Sequence, residues 1–224
     1  MKHNDSGFKA KKAGISVVVI LAMIISGLAV LATPVTIAQD NLGGPYGGTL
    51  RVALKSAPSS LNPLASNLNE SANQIIDVMY DSLGRIDPYT LEIKPWMASS
   101  WTIDATNESI VTVKMKSGIK WHDGTAVTLD DVKYTFGPNG YHITYVALMT
   151  KDTVNNAIIF NLTAPNSKFF SEMMLKKIVP NAFTATSAPK GCGPFRLVST
   201  NASTTTIAAF DDHFNARPYI DTMI

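Results

Sequence analysis

Cysteine is nearly missing from this chain: Cys192 stands alone among 224 residues. A single thiol excludes an internal disulfide framework and any metal site built from several cysteines. It also excludes a lipid-modified cysteine just behind an N-terminal leader, since the first 191 positions hold none. Catalytic signatures are absent as well. There is no G-x-S-x-G elbow, no His-Glu-x-x-His and no phosphate-cradling glycine loop. No excess of either charge stands out. Of 19 basic and 17 acidic residues, four lysines and one aspartate fall in positions 1–39, which leaves 15 and 16 in the remainder. A net charge of −1 with no basic cluster in sequence gives no sign of nucleic acid as a partner.

Charge is also lacking locally, over 27 consecutive positions. Residues 13–39, opening "AGISVVVILAMIISGLAVLA", carry none, and Lys2, Lys9, Lys11 and Lys12 precede them. About twenty helical residues cross a bilayer core, so residues 13–32 are long enough to do so, with the lysines holding the N-terminus inside. The run exceeds the roughly 7 to 15 residues of a signal-peptide core, which favours a retained anchor. Cleavage after Ala32 or Ala38 is the alternative. On either reading residues 1–39 are a signal or membrane-anchor segment, and everything beyond Gln39 is extracytoplasmic, on the outer face of the cell membrane. Four Asn-x-Ser/Thr triplets there, at Asn69, Asn107, Asn161 and Asn201, are candidate glycosylation sites.

What is present is 46% apolar residues in patterned segments. Residues 40–48, "DNLGGPYGG", read as a linker. "TLRVAL" (49–54) alternates like a half-buried strand. Asn69 is placed to cap a helix whose stripe is Ala72, Ile75, Ile76, Met79 and Leu83, with Gly84 as its stop. "IVTVKMK" (110–116) alternates as an antiparallel-type strand, and "AIIFNL" (157–162) as another. Ser167 is placed to cap a short helix with Phe170, Met173 and Met174, and two strands hairpin at 201–203.

The stretch "GIKWHDGTAVTLDDVKYTF" (118–136) gathers a histidine and three aspartates. Neighbours such as His122 and Asp123 diverge on an extended backbone and make a poor chelate. Asp123-Gly124 reads as a tight turn. Thr128 and Asp131 read as a capping box for a helix burying Leu129, Val132 and Phe136, ended by Gly137-Pro138. No metal, no cofactor and no catalytic residue is expected. Cys192 between two glycines is read as packing in a tight loop. Trp96, Trp101 and Trp121 are read as packing before a ligand platform.

In order, "GGTLRVAL", "SLNPLAS", "IIDVMYDSLGRIDP", "IKPWMASSWTI", "TVKMKSGIKWHDGTAVTLDDVKYTF", "GCGPFRLVS" and "ARPYIDTMI" resemble the extracellular solute-binding proteins of the peptide/nickel class, family 5, which serve ABC transporters. The resemblance covers nearly all of residues 47–224. It implies an α/β, incomplete type II periplasmic-binding-protein fold: a mixed-sheet lobe (49–224) with an inserted α+β subdomain at 57–177. It implies no enzyme, but a component that binds a small peptide or similar solute and meets an ABC permease. Two departures stand out. The stretch from Phe136 to Lys151 is shorter than in relatives, and the chain is roughly half their length, so a second polypeptide carrying the C-terminal lobe is a further expected partner. Asn69 and Asn73 are ligand-binding candidates by resemblance, and Tyr141, Cys192 and Gly193 by loop position. Competing readings are a membrane-tethered surface interaction module that kept the scaffold without transport, and a secreted hydrolase, supported only by scattered Ser, His and Asp residues.

Overall fold

The computed structural model describes residues 46–184 and 188–224. The chain divides into two units, residues 1–40 and 41–224, and all described residues belong to the second. The expected anchor at 13–32 lies outside them. Among the described residues, no helix is long and apolar enough to cross a membrane.

The elements in chain order are β1 (Thr49–Leu50), α1 (Glu70–Met79), β2 (Gly84–Ile86), β3 (Ile93–Pro95), β4 (Ala98–Ile103), β5 (Ile110–Met115), α2 (Leu129–Phe136), β6 (Val146–Asp152), β7 (Ala157–Leu162), a π-helical turn (Phe169–Met173), β8 (Phe195–Thr200), β9 (Thr205–Ala209) and β10 (Thr222–Met223). They form two four-stranded sheets and one hairpin. The first sheet runs β1-β10-β9-β8, with β1 parallel to β10 and the other pairs antiparallel. The second runs β4-β5-β7-β6, all antiparallel, and β2 pairs with β3. The chain therefore leaves the first sheet after its opening strand and re-enters it at Phe195, and the second sheet is built entirely between those points.

Two cores follow. In the second sheet, Val111, Val113 and Met115 bury one face of β5 against Trp121, Val132, Phe136, Phe160 and Phe169. In the first, α1 lays Ile75, Ile76 and Met79 against Phe195, Ile207 and Ala209. The expected insertion at 57–177 included α1. Packing puts α1 with the first sheet instead, because its apolar stripe meets β8 and β9.

Local chemistry explains the element ends. Asn69 caps α1 through Oδ1, which accepts from Ala72 N at 2.9 Å. The helix stops at Met79, four residues short of the expected Leu83, because Tyr80 turns extended and the chain enters β2 at Gly84. Leu83 is buried, but in the other core. The capping box of α2 forms as expected: Thr128 Oγ1 accepts from Asp131 N, and Asp131 Oδ2 accepts from Thr128 N at 2.6 Å. Asp131 Oδ1 also accepts from Asn181 N at 2.7 Å, and the carboxylate is buried. One carboxylate thus satisfies donors from two segments. Asp131→Ala should cost about 3 kcal/mol in urea denaturation, above the roughly 1 kcal/mol of an ordinary cap. A loss below 1 kcal/mol would show that the Asn181 contact carries nothing.

Two expectations fail. Ser167 caps nothing with its side chain; Asn166 Oδ1 accepts from Lys168 N, and the turn that follows closes with Met174 N donating to Phe169 O, five residues back. It is Phe169 that is fully buried, while Phe170 packs at the margin against Trp101. "TLRVAL" does not form a half-buried six-residue strand. Only Thr49 and Leu50 are regular, and Leu50 and Val52 remain 41% and 44% exposed. The strand pairs on one side only, with Val52 N donating to Ile224 O and Ile224 N to Leu50 O.

Candidate functional site

The five residues expected to touch ligand stand on three features: Asn69 and Asn73 at the start of α1, Tyr141 in the connection after α2, and Cys192-Gly193 in the segment that crosses the end of α1. Asn69 is a hub of the loop before α1. Its Oδ1 accepts from Ala72 N and Ser59 N, and its Nδ2 donates to Ser56 Oγ (3.1 Å) and Ala57 O (2.8 Å). An amide has two donors and two acceptor sites, so all four are used. Asn69 is a structural cap with nothing left for a ligand. Asn73, one turn on, is exposed, and its side-chain amide has no partner among the described residues.

Tyr141 sits in the short connection after α2, where its N–H donates to Thr135 O at 2.7 Å. Lys176 Nζ lies 5.1 Å from its ring centroid, and burial pushes its phenol up. Cys192 is fully buried, with Sγ 3.9 Å from Met97 Sδ, and burial pushes the thiol far above the thiolate range. It is a packing residue with no surface to offer a solute. Gly193 is pressed onto the end of α1, where its N–H donates to Met79 O at 2.9 Å. A Cβ there would lie 2.6 Å from the Met79 carbonyl carbon.

The His122 cluster is a clasp on that same segment. Main-chain His122 N donates to Gly191 O (2.9 Å), Gly191 N donates to His122 Nδ1 (3.3 Å), and His122 Nε2 contacts Gly193 O (3.0 Å). With Nδ1 accepting, Nε2 carries the proton and donates. Burial pushes the His122 pKa down, which favours this neutral form. Asp123 closes the turn: Oδ1 accepts from Thr125 N and Oγ1, and Lys190 pairs with Oδ2 at 2.5 Å. Slight desolvation would raise its carboxyl, but the Lys190 and Thr125 hydrogen bonds outweigh that and hold it at about 2. Both ring nitrogens of His122 are thus spent on main chain. Among the described residues, no three His, Cys, Asp or Glu side chains gather as a metal site.

What sequence reasoning missed is a groove of about 660 Å³. Its walls are the stretch Arg51–Leu54 with Ser56–Pro58, the Gln74, Ile75 and Val78 side of α1, the β8–β9 turn at 201–204, and Met223-Ile224. Arg51 and Ala53 have main-chain groups without a partner among the described residues. No residue pattern could have announced it, because an unpaired strand edge is made of backbone. The candidate glycosylation sites differ in setting. Asn107 and Asn201 hold turns through Oδ1, and Asn161 lies in β7, hydrogen-bonded between β5 and β6.

Residues 92–224 match the model of the bacterial extracellular solute-binding proteins, family 5 (middle part). The chain belongs to this family. Among its curated relatives is the oligopeptide-binding protein AppA of Bacillus subtilis, 27% identical over 235 residues that cover 93% of this chain and 42% of AppA. A probable ABC transporter-binding protein of Deinococcus radiodurans is 34% identical over 95 residues, 42% of this chain and 16% of that protein. The solved structure of AppA in complex with a nonapeptide superposes with a TM-score of 0.69 at 25% identity, over 80% of this chain and 39% of AppA. NikA from Brucella suis, solved with Fe(III)-EDTA, has a TM-score of 0.66 at 20% identity, over 79% of this chain and 38% of NikA, and shares the fold. The fold is thus the mixed α/β type II periplasmic-binding-protein fold, and the chain spans less than half the length of these relatives.

Proposed function

We propose that this family 5 chain is part of an extracytoplasmic solute-binding component of an ABC transporter and that its cargo is an oligopeptide. The observation that carries the reading is the match to AppA along 93% of the chain. Lobe closure on the ligand is the mechanism that the fold offers. Asn73 and Tyr141 are the ligand-facing residues of this part, since each is at least partly accessible in a loop or helix start. The inserted subdomain runs from about Ser82 to Ile178, the stretch that builds the second core.

The groove is the seat of further polypeptide, namely the second lobe. Its apolar lining and free strand edge are what a covering strand or helix needs. A permease in the membrane is the other partner. Deleting the gene should abolish uptake of a labelled oligopeptide by intact cells, and unchanged uptake would overturn the transport reading.

Residues 13–32 anchor the chain to the outer face of the membrane. Fractionation with N-terminal sequencing should find the protein in the membrane with its leader retained; a soluble chain starting near Gln39 would defeat the anchor and leave export standing.

A further inference from the structure

Around Trp96 the structure places cations without counter-charges. The Arg85 guanidinium lies 4.7 Å from the Trp96 ring centroid, and Lys116 Nζ lies 5.6 Å from the same ring and 5.2 Å from the ring of Phe214. Trp96 and Phe214 meet edge to face at 5.6 Å and form the floor. At the edge of the indole, Trp96 Nε1 donates to Asp81 Oδ1 at 2.7 Å, and Asp81 Oδ2 holds His213 Nε2 at 2.8 Å. Asp81 and His213 are buried, so the ring is held in place from its edge.

Seven other cations of the described residues have a carboxylate within 4 Å, among them Lys120 on Asp212, Lys177 on Asp77 and Arg217 on Asp211 and Asp221. Arg85 and Lys116 are among the eight lysines and arginines of the described residues that have none, and they are the two that share one indole ring. Arg85 also stands directly across the hairpin from Lys94 in the β2–β3 register, an arrangement that costs stability in an isolated sheet. Lys94 is only partly relieved by Glu92. At the tip of the same hairpin, Tyr89 and Leu91 are 94% and 76% exposed. Leu91 adopts φ +59°, a left-handed conformation that a non-glycine residue holds at a cost.

The geometry points to a docking surface on the Arg85–Trp96–Lys116–Phe214 face for an acidic polypeptide segment of a partner protein, with Tyr89 and Leu91 as an apolar flank. A guanidinium stacked on an indole spends its face and keeps its in-plane N–H fork free, which is the geometry that grips a carboxylate through two bonds. Because both cations sit on one ring, they lie within about 10 Å of each other, so two carboxylates on one short segment can reach both. Their positions are already set by the rings, which lowers the ordering cost of binding. The patch does not echo overall charge, since residues 40–224 carry a slight acidic excess. Asp87 and Glu92 at the tip repel an extended anionic surface that has to cover the whole hairpin, whereas a peptide can set its carboxylates on the two cations and an uncharged residue at the tip. This inference does not depend on which solute the cleft holds.

Fluorescence anisotropy of the full chain with a labelled octaglutamate peptide tests it, with octalysine as the reversed-charge probe. Octaglutamate should bind, and more weakly as salt rises. Arg85→Glu with Lys116→Glu should weaken it at least tenfold, while Lys133→Glu with Lys168→Glu, the same change in net charge on other surfaces, should leave it within twofold. Arg85→Lys keeps the charge and the fold but loses the fork, and should weaken binding several-fold. Three outcomes would overturn the proposal: no octaglutamate binding up to millimolar concentration, equal weakening by the two double variants, or binding to phosphatidylglycerol vesicles in place of the peptide.

Discussion

Calorimetry of the 224-residue chain with a mixed oligopeptide library is expected to show nothing tighter than roughly millimolar binding. A closing cleft buries most of its ligand between two lobes, and this chain spans 42% of AppA and 39% of the AppA chain solved with its nonapeptide. A micromolar site is worth about 8 kcal/mol; half of that leaves about 4, which is millimolar. The same preparation should associate with itself in light scattering. Leu50, Val52 and Tyr219 are exposed around the first sheet, Tyr219 at 63%, and the groove beside them offers unpaired main chain. If the proposed function holds, adding a polypeptide that carries a second lobe should suppress association and confer peptide affinity together. Replacing Val52 by Lys should reduce association without restoring affinity, which separates covering the groove from completing the cleft. A monodisperse monomer with micromolar affinity for peptide would show that the groove needs no cover and that one lobe is a sufficient receptor.

The parts of this architecture that were legible in the sequence are those decided within a few residues. The Asn69 cap, the Thr128–Asp131 box, the alternation of Ile110–Met115 and the Asn201 turn each depend on side chains and donors two to four positions apart, and each forms. The family was legible for a related reason, since its signature is a series of such local segments in fixed order. What failed depended on distant partners. "TLRVAL" has the alternation of a half-buried strand, yet its burial is decided by what packs on it, and among the described residues β10 alone pairs with β1. Bounds of 57–177 for the insertion take in α1, but which sheet that helix meets is settled by β8, more than a hundred residues on. The candidate site suffered most. Asn69 and Asn73 look alike in sequence; only the loop at 56–59 reveals that one amide is fully spent and the other free. Arg85 and Lys116 are unremarkable in sequence, and only the fold shows that both reach the ring of Trp96.

The largest effects on stability are expected where the Gly191-Cys192-Gly193 segment crosses the end of α1. A Cβ on Gly191 would fall inside the Met79 carbonyl oxygen, and one on Gly193 would meet the Met79 carbonyl carbon and Tyr80 N at 2.6 and 2.8 Å. Both obstacles are backbone of a helix end buried by Met79 and Tyr80, so neither can swing aside. Gly191→Ala should therefore cost about 4 kcal/mol or more, in the range reserved for a forced shift of packed backbone. His122 holds the same segment from the other side, and His122→Ala, which strands Gly191 N and Gly193 O, should cost about 2 to 3 kcal/mol. The two losses should not add, since either frees the segment on which the other acts. A pH series distinguishes the clasp from mere packing. Burial pushes the folded-state pKa of His122 down, so below about pH 6.5 the unfolded chain takes up a proton that the folded chain refuses. The contribution of His122 is thus fully present above that pH and is lost as pH falls toward its lowered folded value. Asp123, held at about 2, adds its own loss only below about pH 4. His122→Gln keeps an amide donor for Gly193 O and cannot titrate. Urea midpoints measured between pH 7 and 5 should fall for the wild-type chain and stay flatter for this variant. Parallel slopes would mean that His122 is not held neutral against the glycine segment, and the clasp would have to be abandoned.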